Sequence, residues 1–208
     1  VATPLLAAAA REGQVDTMLS IEAHLYSLYL KMFETREHHL ETLTAVEAAA
    51  ANLPYQARTW RPRSSPRPKI AFLIPNGVIL AHTELLLTFL SGLSQLDDPP
   101  IEPIVLIYMD ASGGQLGRKL DLMKVRWMSA GLAAPFAYEA LFETVRDQVA
   151  EIDADAVVFV SIPLFIAYFC RRPLAPAQIW WPMKFFMPCF DGLDGRVVEH
   201  RFVDVAEN

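Results

Sequence analysis

The residues best equipped for chemistry lie just past a short apolar run, Ile70 to Ile74. The segment Pro75 to Thr83 (PNGVILAHT) ends in His82 and Thr83 and runs into a helix-forming stretch from about Thr83 to Leu93. A histidine there can serve as a general base toward a hydroxyl or amide nucleophile, because its ordinary pKa of about 6.5 lies near neutral pH. Asn76 and Thr83 add side-chain hydrogen-bonding groups, and the first turn of a helix offers free amide donors. On the residues alone, a histidine that only caps or packs the helix start is the favoured reading. A second concentration, Gln178 to Phe190 (QIWWPMKFFMPCF), sets Trp180, Trp181, Phe185, Phe186 and Phe190 around Lys184. Aromatic density of this kind lines an acceptor groove, faces a partner domain or enters a membrane interface.

Other chemistry-bearing residues fit no motif. Gly113, Gly114 and Gly117 (SGGQLG) lack the GK[ST] ending of a phosphate-binding loop and read as a flexible turn. Cys170 and Cys189 have neither C-x-x-C spacing nor a neighbouring histidine, so they read as reduced, buried thiols of a cytosolic chain. His24, His38 and His39 form no H-E-x-x-H pattern and read as solvated or partly packed side chains. Asp153 and Asp155 precede an apolar run and read as a helix stop and a turn.

The elements that must position these residues follow from composition and periodicity. With 53% hydrophobic and 20% charged residues over 208 positions, the chain can bury a proper core. A formal net charge of −6 argues against general nucleic-acid binding. No apolar run reaches the roughly 20 residues of a membrane span, nor does the start carry a basic-then-apolar signal, so membrane contact is not expected. Residues 1–51 form a helical region, with Asp16 as N-cap of a helix from Thr17. Residues 52–68 are a connector holding Pro54, Pro62, Pro66 and Pro68 among arginines. Residues 69–208 alternate strand-like and helix-like segments, the pattern of a parallel α/β sheet. Strands are expected at Ile70–Ile74, Ile104–Tyr108, Phe136–Tyr138, Ala156–Val160, Gln178–Trp181 and Arg196–Val203. Helices are expected at about Thr83–Leu93, Leu116–Ala130, Leu141–Ile152 and Leu164–Arg171. The ligand crevice of such a sheet lies beyond the carboxyl ends of its strands.

Three stretches carry a resemblance: KIAFLIPNGVILAHTELLLTFL at Lys69–Leu90, AVVFVSI at Ala156–Ile162, and above all RRPLAPAQIWWPMKFFMPCFDGLDGRVV at Arg171–Val198. Together they resemble the N-terminal catalytic half of the O-GlcNAc transferase and SPINDLY-type glycosyltransferases, including bacterial relatives that glucosylate adhesins. Arg172, Pro173, Ala175, Pro176, Ala177 and Gln178 match that family's R-x-A-P-I/V-Q stretch. No histidine flanks Val157–Val160, where relatives often have a second one, and Pro182 stands where a glycine is usual.

The resemblance implies one half of a GT-B fold, a Rossmann-like acceptor-side domain over residues 69–208 preceded by a helical region. It implies an inverting glycosyltransferase that uses a nucleotide sugar as co-substrate, needs no metal, and acts on protein or glycan acceptors. His82 is carried over as the catalytic or acceptor-orienting residue, with Asn76, Thr83, Trp180, Trp181, Lys184 and Phe185 on the acceptor side. The donor would be held by a C-terminal domain or partner chain outside these residues. The rival expectation is a non-catalytic α/β assembly or binding subunit that docks through its aromatic segment.

Overall fold

A computed structural model describes residues 2–32, 36–58, 66–161, 164–182 and 190–197; the side chains of residues 2–3 and 27–40 also lie outside this description. Three helices come first: α1 (Ala2–Arg11), α2 (Val15–Met32) and α3 (Arg36–Ala50). Then β1 (Lys69–Ile74), α4 (Ala81–Ser94), β2 (Glu102–Ile107), α5 (Gly114–Met123), β3 (Trp127–Ser129) and α6 (Tyr138–Ile152) follow in turn. The series ends with β4 (Ala156–Val160), α7 (Ile166–Arg171), β5 (Ala177–Trp181) and β6 (Gly195–Arg196). The strands form one six-stranded, all-parallel sheet in the order β3-β2-β1-β4-β5-β6, a Rossmann-like α/β fold.

The sheet is buried on both faces, which is why its strands read as continuous apolar runs. Along β1 the pleat sends Ala71 and Leu73 to one face and Phe72 and Ile74 to the other. The Phe72 face packs under α4 and α5 through Leu86, Leu90, Leu116 and Leu120. The Leu73 face packs under α6 and α7, with Phe142 at its centre. The Phe142 ring lies 4.8–5.1 Å, centroid to centroid, from Phe165, Tyr168 and Phe169.

The N-terminal helices lie on the outer side of α6 and α7, and their buried residues join the same core. Gly13 adopts a left-handed conformation (φ 69°) and ends α1, so α2 starts at Val15. Asp16 therefore does not cap its own helix, as the sequence suggests. Its Oδ1 accepts the Glu139 amide at 2.7 Å and so caps the first turn of α6 instead. The connector is tied down at its described parts. Gln56 N–H donates to the Arg171 carbonyl at 2.8 Å, and the Arg171 guanidinium returns to Leu53 O at 3.1 Å while lying over the Tyr55 ring. Arg58 pairs with Asp194 and Arg67 with Asp98. Among the described residues no helix is long and apolar enough to cross a membrane.

Three expected elements move. The last strand, expected over Arg196–Val203, is Gly195–Arg196, and residues 198–203 lie outside the described residues. The third strand is Trp127–Ser129 rather than Phe136–Tyr138, and the helix expected over Leu116–Ala130 stops at Met123. Lys124 takes a left-handed conformation there (φ 56°), which closes α5 and frees the chain to enter the edge strand. Phe136 is also left-handed (φ 63°), a backbone state that no strand uses.

The buried stripe of α2 is Val15, Met18, Leu19, Glu22 and Tyr26, and Glu22 is wholly buried. Its Oε1 accepts the Phe165 amide at 2.7 Å, joining α2 to the loop between β4 and α7. Burial pushes the Glu22 carboxyl up to about 8, against the pull of that amide. A carboxyl raised from 4.5 to about 8 on folding contributes stability that is complete below 4.5 and is lost as pH rises through about 8. Unfolding free energy should therefore fall across that window by at most about 1.4 kcal/mol per pH unit. Glu22→Gln keeps the amide acceptor and should flatten the profile, whereas Glu22→Ala orphans the Phe165 amide and should cost about 1–3 kcal/mol below pH 5. Urea melts of the three proteins between pH 4 and pH 9 check both expectations.

Candidate functional site

The strand order reverses between β1 and β4, because β1 is followed on one side by β2 and on the other by β4. In an open parallel sheet this reversal opens a crevice beyond the carboxyl ends of those two strands. Three loops surround it here: Pro75–Leu80 after β1, Tyr108–Gly113 after β2, and the turn that begins at Ser161 after β4.

The first loop is rigid for reasons written in its residues. Asn76 is exposed and its Oδ1 accepts the Val78 amide at 3.3 Å, a short Asx turn. Thr83 is fully buried, accepts the Leu80 amide at 2.6 Å and faces the carbonyls of Leu80 and Val78 at 2.7 and 3.2 Å. Its hydroxyl is committed to the backbone at the start of α4 and leaves no donor for an acceptor. His82, the second residue of α4, is half-buried at the carboxyl edge of the sheet.

Gly77 lets the first and second loops touch. A Cβ on Gly77 would stand 2.1 Å from the Gly113 carbonyl oxygen, and one on Gly114 would stand 2.7 Å from Gly77 O. Leu116 N–H donates to Gly77 O at 2.9 Å. Gly113 and Gly117 leave room for the Trp127 ring, which added Cβ atoms would meet at 2.3 and 2.8 Å. The glycines read from sequence as a flexible turn are thus a tight backbone contact. Asp110 completes it by accepting the Ser112 hydroxyl at 2.6 Å and the Ser112 amide at 3.0 Å. The Ser112 hydroxyl above all, with the Ser112 and Gly77 amides, holds the Asp110 carboxyl below its usual range.

The third wall is strained. Ser161 is buried at φ 77° and Phe165 sits at φ 63°, both in the left-handed region that side chains avoid. Ser161 is held from both sides: its amide donates to Trp181 O at 2.8 Å, and its carbonyl accepts Trp180 Nε1 at 2.9 Å. Phe165 is held by Glu22. Tyr108, at the carboxyl end of β2, is also buried, and burial together with the nearby Glu22 raises its phenol well above the usual range.

The aromatic segment divides across the sheet. Trp180 is fully buried, its ring 5.7 Å from Phe190, and offers no surface to an acceptor. Trp181 points to the opposite face, half-buried, with its ring edge-on to Phe89 at 5.6 Å. Lys184 and Phe185 lie outside the described residues. In the stretch Arg172–Gln178, Gln178 is buried; its Oε1 accepts the Leu174 amide at 2.9 Å and its Nε2 donates to Phe169 O at 3.1 Å, which folds residues 172–177 onto α7. Arg172 donates to Glu139 at 2.9 Å at the start of α6. The described acceptor-side candidates with surface to offer are thus Asn76, His82 and Trp181.

Glu22 and Ser161 are the residues of this region that sequence reasoning misses. A signal for Glu22 exists, since it interrupts the stripe of Met18, Leu19 and Tyr26 with a carboxylate. For Ser161 none exists short of the backbone angles. No family model matches the chain, and no curated protein matches it.

Gly77→Ala should force the two loops apart and lower stability by about 3 kcal/mol. Gly92→Ala, on α4 with nothing within 4 Å of an added Cβ, should instead stabilise by about 0.5–1 kcal/mol. Chemical denaturation of the two variants beside the parent protein checks the contrast.

Proposed function

We propose that the chain is the acceptor-side half of an inverting, nucleotide-sugar-dependent glycosyltransferase that acts on protein or glycan acceptors. The observation that carries the reading is the place of His82: the first helix after β1, beside the reversal between β1 and β4, where α/β sheets bind their ligands. The resemblance of Lys69–Leu90 and Arg171–Val198 to the O-GlcNAc transferase and SPINDLY-type enzymes gives that position a task.

The acceptor hydroxyl or amide sits against His82 and attacks the anomeric carbon of the sugar. The bond to the nucleoside diphosphate breaks with its electron pair on the leaving phosphate, and His82 takes the acceptor proton. Asn76 and the face of Trp181 orient the acceptor. A second Rossmann-like domain, in further chain or in a partner, holds the donor and stabilises the diphosphate charge. The rigid Gly77–Gly113 contact fixes the loop that leads into α4 and His82, which is what positioned catalysis needs.

The test is transfer of labelled sugar from a panel of nucleotide sugars to peptide acceptors, using the protein together with its donor-binding domain. Transfer is expected, and His82→Ala should lower kcat about 100-fold or more while leaving the donor KM unchanged. Wild-type turnover in that variant removes His82 from the mechanism. Absence of both transfer and donor hydrolysis across the panel favours the rival reading, a non-catalytic binding subunit.

A further inference from the structure

Away from the crevice, a cavity of about 500 Å³ opens between the N-terminal helices and the turn before α6. It is lined by Leu5 of α1, by Asp16, Ser20, Ile21, His24 and Leu25 of α2, and by Phe136. Its walls are mostly carbon, with the polar atoms confined to the α2 side, the pattern of a small-molecule site rather than of a packing fault. It is an open groove, and its volume lies within the range of small-molecule sites, about 300–1,000 Å³.

Two features show a built rim. Leu5 and Phe136 are large apolar side chains of the lining left 57% and 55% exposed. Phe136 is held in that place by a left-handed backbone (φ 63°), a conformation costly for an aromatic residue that burial of its own ring does not repay. The turn is fixed by hydrogen bonds from Ala137 N to Ala134 O and from Tyr138 N to Phe136 O, at 3.2 and 3.0 Å. Strain kept at an exposed aromatic beside a cavity is what a ligand clamp requires.

The polar side of the cavity sets the head group. Among the described residues Asp16 supplies the one carboxylate in the lining. Its Oδ1 is taken by the Glu139 amide, and no hydrogen bond from a described residue reaches its second oxygen. Ser20 turns its hydroxyl to the Asp16 carbonyl at 2.7 Å, and His24 has Nδ1 against Ser20 O at 2.8 Å, so both of these contacts go to backbone carbonyls rather than to the carboxylate. A negative charge at the end of an apolar cavity matches a positive head on an apolar body.

We propose that this cavity binds a small ligand with a hydrocarbon or aryl body and an ammonium head, the body between Leu5, Ile21, Leu25 and Phe136 and the head on Asp16. The site lies on the helical layer and does not depend on the glycosyltransferase reading.

Calorimetric titration with decylammonium, decanol and decanoate, each below its micellar concentration, tests it. Decylammonium should bind one to one and at least tenfold tighter than decanol, with decanoate weakest. Asp16→Asn retains the acceptor for Glu139 and should bring decylammonium within about threefold of decanol. Ile21→Asp should abolish binding of all three, with circular dichroism confirming its fold. Phe136→Gly relieves the left-handed strain, so its Tm should be unchanged or higher while decylammonium binding weakens about tenfold. Equal affinity for the three head groups, no saturable binding below 1 mM, or undiminished binding in both Phe136→Gly and Asp16→Asn overturns the proposal.

Discussion

A parallel sheet leaves its carboxyl edge as a row of loops that only side chains and neighbouring backbone can hold in place. Here the loop after β4 is held by a contact between the Glu22 carboxyl and the Phe165 amide, made across 143 positions of sequence and wholly shielded from water. Phe165 sits in a backbone conformation it would not choose in isolation, and Glu22 sits in a medium that denies it its charge. Each tolerates its position because the other is there. Around this contact the Phe142 aromatic cluster closes, α2 lies against α6, and Asp16 reaches the first turn of α6.

The same contact joins the two ends of the functional account. On the sheet side it shapes a wall of the crevice that also borders the loop leading into α4 and His82. On the helical side it fixes α2, whose outward face lines the apolar cavity and whose inward face carries Glu22. The N-terminal helices are therefore part of the core that supports the crevice rather than an appendage strung on a connector, and the connector itself is tied to the sheet by Arg58 and Arg171.

Much of this was legible in the sequence. The buried strands β1 and β4 announce themselves because a strand covered on both faces is a short, continuous apolar run, and each falls within a residue or so of its expected bounds. The edge strand Trp127–Ser129 does not, since three half-buried residues carry no pattern. Phe136–Tyr138 imitates a strand through its aromatic residues while being a left-handed turn. The site was legible as a place, past the carboxyl end of β1, more than as a set of side chains. Burial decides what each side chain can do, and it consigned Trp180 to the core and the Thr83 hydroxyl to the backbone. Long-range partners such as Glu22 with Phe165, or Gly77 with Gly113, leave no mark in local sequence.

The claim that one core unites the helical layer and the sheet through Glu22 is tested most directly by native-state amide hydrogen exchange across a denaturant series. The account predicts that the amides of residues 19–26 in α2 exchange with the same free energy and the same denaturant dependence as those of β1 and β4, through a single global opening. Exchange of α1 and α2 through a separate low-energy opening, with β1 and β4 still protected, would contradict it.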